Sequence, residues 1–241
     1  MPTDAADLVL RPASPDDLPA VAALHWAARR HAVPAMPAPV HPHAEVLAHL
    51  GSLDLARHEV WLAEDASGLL GYATLTGAWL DDLYVAPEHQ GRGVGSALLA
   101  LVQGLRPDGF ELWVFESNAP ARALYARHGV IELETTDGSG NEEGAPDVRA
   151  AWPGADPLAF LRARIDDVDL ALGDLLARRA ALTAAVQPHK RTPGRDPARE
   201  AACAARVAAR VPALAPEGVA RILDAVITES LAAASETVGG P

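Results

Sequence analysis

Gln90-Gly91-Arg92-Gly93-Val94-Gly95 places three glycines in six positions, between a strand-like run ending at Val85 and a helix-like run opening near Ser96. Glycine permits positive φ and close approach of a ligand to the backbone, and a helix start gathers N–H groups without intrahelical partners and a partial positive charge. The segment is therefore suited to hold phosphates. Its spacing excludes two other phosphate loops: a Walker loop ends in Gly-Lys-Ser/Thr, and the dinucleotide pattern places two residues before its last glycine. A strand-to-helix turn can also need glycine for packing alone, so its neighbours decide its meaning.

Outward from the turn, strands and helices alternate. Leu8 to Arg11 reads as an opening strand. Ser14, Pro15, Asp16 and Asp17 read as a helix start, with an acceptor cap, proline at the first position and acids in the first turn, and the helix runs to about His31. A stretch rich in His and Pro and an amphipathic segment at Ala44 to Leu50 follow. Glu59 to Ala63, Leu69 to Thr76 and Trp79 to Val85 then predict an antiparallel meander. After the turn come a helix carrying Ala97 to Leu105, a strand at Phe110 to Phe115, a helix at Ala119 to His128 and a strand at Val130 to Thr135. The order predicts a mixed α/β sheet with flanking helices. The turn stands at the C-terminal end of a central strand, where ligand clefts in open sheets form.

Composition divides the chain. Its 241 residues, 49% hydrophobic and 22% charged, argue for a globular protein of one large or two ordinary domains. No run of eighteen apolar residues occurs, and Met1 to Arg11 lacks a basic start followed by an apolar stretch, which predicts a cytoplasmic protein with no membrane partner. Cys203 is the only cysteine, so one chain can build neither an internal disulfide nor a cysteine-based metal site, and no metal is expected. Among alanines, Cys203 reads as a small core residue. The net charge of -12 disfavours nucleic acid as a partner. That charge is uneven: residues 1–157 hold 22 acids against 9 Lys/Arg, whereas residues 158–241 hold 10 acids against 11. Ten of the eleven aromatics also precede residue 158. With Pro153, Gly154 and Pro157 as punctuation, two domains are expected, 1–153 and 158–241, joined by 154–157.

Leu83, Tyr84 and Val85, then Gln90 to Gly95, then Asn118, Pro120, Ala121 and Tyr125 together resemble the GNAT superfamily of acyl-CoA-dependent N-acyltransferases. The resemblance spans residues 8–152, including Asn141, Glu142, Glu143 and Asp147 to Trp152. It implies acetyl-CoA as acyl donor. Amides of Gln90, Gly91, Arg92, Gly93, Val94, Gly95 and Ser96 would cradle its pyrophosphate, and backbone groups of Leu83 and Val85 would pair with its pantetheine as an added strand would. Tyr125 would be the acid that protonates the departing thiolate, against the plainer role of packing helix on sheet. Asn118, expected to bind cofactor, stands where it can also cap its helix. Four residues compete for the base: Asp82 and Glu116 at strand ends, His25 and His31 on or just after the first helix. The acidity of this half favours a cationic amine as acceptor.

Beyond residue 157, Leu161, Ile165, Val168, Leu172, Leu175, Leu176 and Val186 follow helical spacing and predict one long helix, with two more at about Ala198 to Val211 and Pro216 to Glu236. Composition alone makes this all-α three-helix segment a dimerisation appendage. The charged positions resemble something more specific: Leu161-Arg162, Ile165-Asp166, Asp169, Arg179, Lys190, Arg195-Asp196-Pro197, Arg199-Glu200 and Ile227 to Ser230 are similar to the all-helical class of chorismate mutases. Lys190 is the only lysine among twenty basic residues, which suggests a geometric need for a compact ammonium. The resemblance implies rearrangement of chorismate to prephenate, a step of aromatic amino acid biosynthesis that needs no cofactor. Arg162 and Arg179 would clamp carboxylates, Lys190 would face the ether oxygen, and Asp196, Arg199, Glu200 and Ser230 would hold the ring substituents.

Arg162 and Arg179 lie seventeen residues apart on one helix, which at 1.5 Å per residue is about 26 Å. One small dianion cannot span that, so a homodimer with shared sites is expected. Two residues depart from the family. Ala234 stands where Gln or Glu usually meets the ether oxygen, and Pro188 interrupts the helix just before Lys190. The alternative to a bifunctional enzyme is an acetyltransferase whose helices form a weakly catalytic dimerisation or chorismate-sensing module.

Overall fold

The strands β1 (Val9–Pro12), β2 (Glu59–Asp65), β3 (Gly68–Thr76) and β4 (Trp79–Val85) run each antiparallel to the one before, with β3 buried from Leu70 to Leu75 at their centre. The computed structural model describes residues 8–190 and 195–238; residues 1–7, part of the Met1 to Arg11 stretch read above, residues 191–194, and residues 239–241, at the end of the expected helical domain, lie outside the described residues. The chain divides into two compact units, Met1–Leu161 and Arg162–Pro241.

In the first unit, α1 (Leu18–His31) and α2 (His43–Gly51) separate β1 from β2, and α3 (Val94–Leu105) carries the chain from β4 to β5 (Phe110–Phe115). That crossover makes β4 and β5 parallel, because a helix returning along the sheet brings the next strand in the same direction. Then follow α4 (Ala119–Arg127), β6 (Ile131–Thr135) and β7 (Asp147–Trp152), giving a seven-stranded sheet in the order β1-β2-β3-β4-β5-β7-β6 among the described residues. The expected mixed α/β sheet and antiparallel meander are present. The sheet buries apolar side chains on both faces. Leu98, Leu99 and Val102 of α3 pack with Phe110, Leu112 and Val148 on one face, while Val21 and Leu24 of α1 pack with Val60, Leu62 and Tyr72 on the other. Each fully buried leucine contributes about 2 kcal/mol, so both helices are fixed to the sheet by their apolar stripes.

β4 and β5 are not paired along their length. Their ladder holds one registered pair, Trp79↔Glu111, supported by Glu111 N donating to Ala78 O at 2.9 Å. β5 is instead paired throughout with β7. The sheet therefore opens between β4 and β5 toward their C-terminal ends.

The second unit is helical. α5 (Pro157–Val186) ends two residues before Pro188, and a single 3₁₀ turn at Gln187–His189 leads to Lys190. The proline ends the helix because its ring removes an N–H and crowds the preceding turn. Asp196 caps α6 (Pro197–Ala208), its Oδ1 accepting from Arg199 N at 3.0 Å. α7 (Pro216–Val238) begins with the expected proline. α6 stops short of the expected Val211, and α7 continues past Glu236. Cys203, expected in the core, is half-buried.

Candidate active sites

The glycine turn owes its residues to two causes. Gly91 and Gly93 have φ of 74° and 91°, and a Cβ built on either meets nothing within 4 Å, so backbone conformation and not space requires glycine there. Gly95 is the packing glycine, since its Cβ would meet Leu124 Cδ2 at 3.3 Å and Val85 Cγ2 at 3.6 Å. α3 opens at Val94, two residues earlier than expected, with Gly93 as a left-handed cap that supplies no side-chain acceptor. Ala97 N donates to the Gly93 carbonyl at 2.9 Å. The amides of Val94, Gly95 and Ser96 are the first-turn donors that no helical carbonyl can reach. Gln90 folds back on β4, its Nε2 donating to Val85 O at 3.2 Å, and Arg92 is exposed beside the turn.

The gap between β4 and β5 presents β4 backbone. Ala86 N donates to Leu70 O at 2.8 Å, so in this antiparallel register Ala86 and Tyr84 exchange bonds with β3, and Leu83 and Val85 aim their N–H and C=O toward the gap. A cleft of about 680 Å³ opens there, lined by Leu83 and Tyr84 of β4, Val114 and Phe115 of β5, and Asn118 and Tyr125 of α4. Asn118 serves as the α4 cap, its Oδ1 accepting from Ala121 N at 3.2 Å, while also lining the cleft. Tyr125 is buried, and desolvation together with the Asp82 charge pushes its phenol above the ordinary range, so it keeps its proton.

Of the four candidate bases, only Asp82 lines the cleft. Burial pushes its carboxyl up to about 6, with the Asp81 charge adding repulsion and the Arg29 charge opposing. His25 lies 3.9 Å from Asp82 and is hydrogen-bonded through Nδ1 to the Tyr72 hydroxyl at 2.7 Å. Burial lowers His25 to about 4, with Arg29 and His49 adding to the shift, so it is neutral at neutral pH. Glu116 and His31 are exposed outside the cleft lining. Spacing alone could not separate these four.

The helical unit brings together some of its expected site residues. Arg179 Nη1 donates to Ser230 Oγ at 2.7 Å and to Val226 O at 3.2 Å. Ser230 is buried and lines a groove of about 390 Å³ between α5 and α7, with Leu176, Ala177, Ala180 and Ala225 among its walls. Asp196, Arg199 and Glu200 cluster at the start of α6, where Glu200 is paired with Arg195 at 2.7 Å. Arg162 and Arg199 are exposed, and Lys190 is half-buried just past the end of α5.

Residues 56–132 match the acetyltransferase (GNAT) domain model and residues 161–234 match the chorismate mutase type II model. The chain joins a GNAT domain to a chorismate mutase type II domain. Over 102 residues, 41% of this chain, it is 31% identical to the peptidyl-lysine N-acetyltransferase YiaC of Escherichia coli strain K12, and it spans 66% of that relative's length. Two solved structures share the fold of the GNAT domain. The apo form of YjaB from Escherichia coli has a TM-score of 0.51 at 20% identity, with 61% of this chain and 99% of that one covered. The yncA structure of Salmonella typhimurium, solved with its cofactor acetyl-CoA, has a TM-score of 0.51 at 18% identity, with 62% and 95% covered.

The GNAT domain holds one buried ion pair beside the cleft that its motifs do not disclose. Arg29 of α1 is buried, donates from Nη2 to Glu143 at 2.7 Å and lies 5.5 Å from the centre of the Phe115 ring. Glu143 is 114 positions away on the segment between β6 and β7, whose Ser139, Gly140 and Asn141 line the cleft. A buried guanidinium stripped of its carboxylate is strongly destabilising. Glu143→Ala is expected to lower stability by about 3 kcal/mol, and Glu143→Gln, which keeps an acceptor oxygen, by clearly less; urea midpoints of the two variants check this.

Proposed function

We propose that the chain is a cytoplasmic bifunctional enzyme: domain 1–153 transfers the acetyl group of acetyl-CoA to an amine, and domain 158–241, joined to it by 154–157, converts chorismate to prephenate as a homodimer. Both halves act on small molecules, without a nucleic acid or membrane partner. The observation that carries the first activity is the parting of β4 and β5 beside a glycine turn that leads into a helix start. Leu83 and Val85 direct backbone groups into that gap, as a pantetheine chain requires, and the turn from Gln90 to Ser96 has open space at Gly91 and Gly93 for a pyrophosphate. Acetyl-CoA supplies the acyl group when bound.

The residues of the cleft suit the two proton movements of direct acyl transfer. Asp82, titrating near 6, takes the proton that the acceptor ammonium must lose before its nitrogen can attack. Tyr125 donates its proton toward the departing sulfur. Asn118 supports the cofactor side of the cleft while capping α4. Asp81, Asp82 and Asp147 in the lining favour a cationic primary amine, the chemistry of the lysine named for the Escherichia coli relative.

For the mutase, α5 supplies the supporting observation. Leu158, Leu161, Ile165, Val168, Leu172 and Leu175 recur at alternating steps of three and four, Arg179 takes the next place, Leu182 and Val186 continue the series, and none of the apolar residues is buried. A helix with an exposed apolar seam of this length needs a partner. Arg179 occupies the same seam, so a second copy packed along it brings a neighbour's Arg162 within reach. Lys190 would stabilise the charge developing on the ether oxygen, while Asp196, Arg199, Glu200 and Ser230 hold the folded ring. Ala234 favours the second reading, a chorismate-binding module with weak catalysis, because a buried methyl group stands where relatives carry a donor.

Thiol release from acetyl-CoA across a panel of amines tests the first activity. Its kcat/KM is expected to rise with pH through about 6 as Asp82 ionises, a limb that Asp82→Asn abolishes, and Tyr125→Phe is expected to lower kcat about a hundredfold. The loss of chorismate absorbance tests the second; tight binding without turnover would favour the sensing module. Arg162→Ala and Arg179→Ala should each be inactive, yet a mixture exchanged into heterodimers should regain about a quarter of wild-type activity, because each heterodimer contains one intact site.

A further inference from the structure

Arg195 stands immediately before the cap of α6 and joins two helices. Its Nε and Nη2 donate to Glu200 Oε2 at 3.0 and 2.7 Å, its Nη2 also bonds Asp224, and its Nη1 reaches Thr228 Oγ1 at 3.3 Å. Asp224 and Thr228 lie one turn apart on α7, and Ser230, which receives Arg179, follows two residues later. One guanidinium thus connects the first turn of α6, where Asp196, Arg199 and Glu200 sit, to the helix that carries Ser230.

The geometry points to Arg195 as a positioning residue of the mutase site, holding the Glu200 carboxylate in one orientation as an acceptor for a hydroxyl of the substrate ring. This rests on the mutase reading. A carboxylate offers about four lone-pair directions, and Arg195 occupies chiefly those of Oε2, with only a 3.2 Å contact from Nε to Oε1. Acceptor capacity therefore remains on Oε1. Three groups face Glu200: Arg195, whose hydrogen bonds hold the carboxyl below the usual range; the Asp196 backbone, which acts in the same direction; and Asp224, whose charge opposes both. Without Arg195, Glu200 would lie beside Asp224 with no cation between them. Protonation would then come at higher pH, and a protonated carboxyl loses half of its role as an acceptor.

The test compares the full-length chain with Arg195→Ala, Arg195→Lys and Asp224→Asn. Chorismate turnover is followed from about pH 3.5 to 8, and the Glu200 carboxyl carbon is titrated by NMR without substrate. Arg195→Ala is expected to lower kcat/KM about tenfold and to move its acid limb and the Glu200 titration together toward about 4.3. Arg195→Lys should restore part of both. Asp224→Asn, which weakens the link to α7 and removes the charge that opposes Arg195, should leave kcat/KM near the wild-type value and draw the acid limb to lower pH, opposite to Arg195→Ala. A purely structural tie predicts the reverse, with Asp224→Asn as damaging as Arg195→Ala and no movement of the acid limb. An unmoved Glu200 titration in Arg195→Ala overturns the proposal even if the enzyme is active. If wild type binds chorismate without turning it over while the titration moves as expected, the mutase reading fails and the assigned role fails with it.

Discussion

The meeting of β4 and β5 at a single residue pair is the constraint on which the first domain's site depends. The junction is held where Trp79 pairs with Glu111, and Glu111 is buried and paired with Arg149, whose guanidinium lies 5.6 Å from the centre of the Trp79 ring. Beyond that point each strand is held by other neighbours. β4 is bonded to β3, β5 is bonded to β7, and the side chains of Leu83 and Val85 pack against the α3–α4 side at Gly95 and Leu124. The gap is therefore rigid on both edges. Backbone groups of Leu83 and Val85 face the gap, the Val85 carbonyl accepting from the Gln90 side chain, and such an edge favours an extended ligand that carries its own amide groups.

Burial then sets the chemistry at the inner end of the gap. It raises Asp82 to about 6 and lowers His25 to about 4 for the same reason, since leaving water disfavours the charged form of each. The buried Arg29 cation depresses both groups, and its own desolvation is offset by Glu143 and the face of Phe115. A carboxyl raised toward neutrality, a neutral imidazole beside it and a protonated phenol thus gather at one cleft. In the helical domain the corresponding tension is between apolar surface and charge. The seam of α5 is apolar except at Arg179, and that arginine is held by Ser230 and the Val226 carbonyl.

The features legible in the sequence are those whose causes are local. Apolar and aromatic runs bounded by turn residues marked the strands and the meander, Gly91 and Gly93 announced left-handed backbone, Asn118 and Asp196 stood at cap positions, and Pro188 marked the end of α5. Tyr125 could be singled out because its spacing from Asn118 is that of one helix. The parting of β4 from β5 was not legible, because it depends on which strands pair with which. Nor was the pairing of Arg29 with Glu143, made across 114 positions, or which of Asp82, Glu116, His25 and His31 lines the cleft, which depends on how the strands and helices pack. Arg195 belonged to a recognisable string, but its bridge to Asp224 exists only once α6 lies against α7.

The central claim is that the gap and the turn form one acetyl-CoA site. Amide chemical shifts and hydrogen exchange, recorded as coenzyme A is added to the full chain, test it most directly. The account predicts slowed exchange and large shifts at Leu83 and Val85 and at Gly91 through Ser96, with smaller changes at Val60 and Leu62 in the paired β2. Saturable binding that leaves those amides unchanged, or no binding at all, would contradict it.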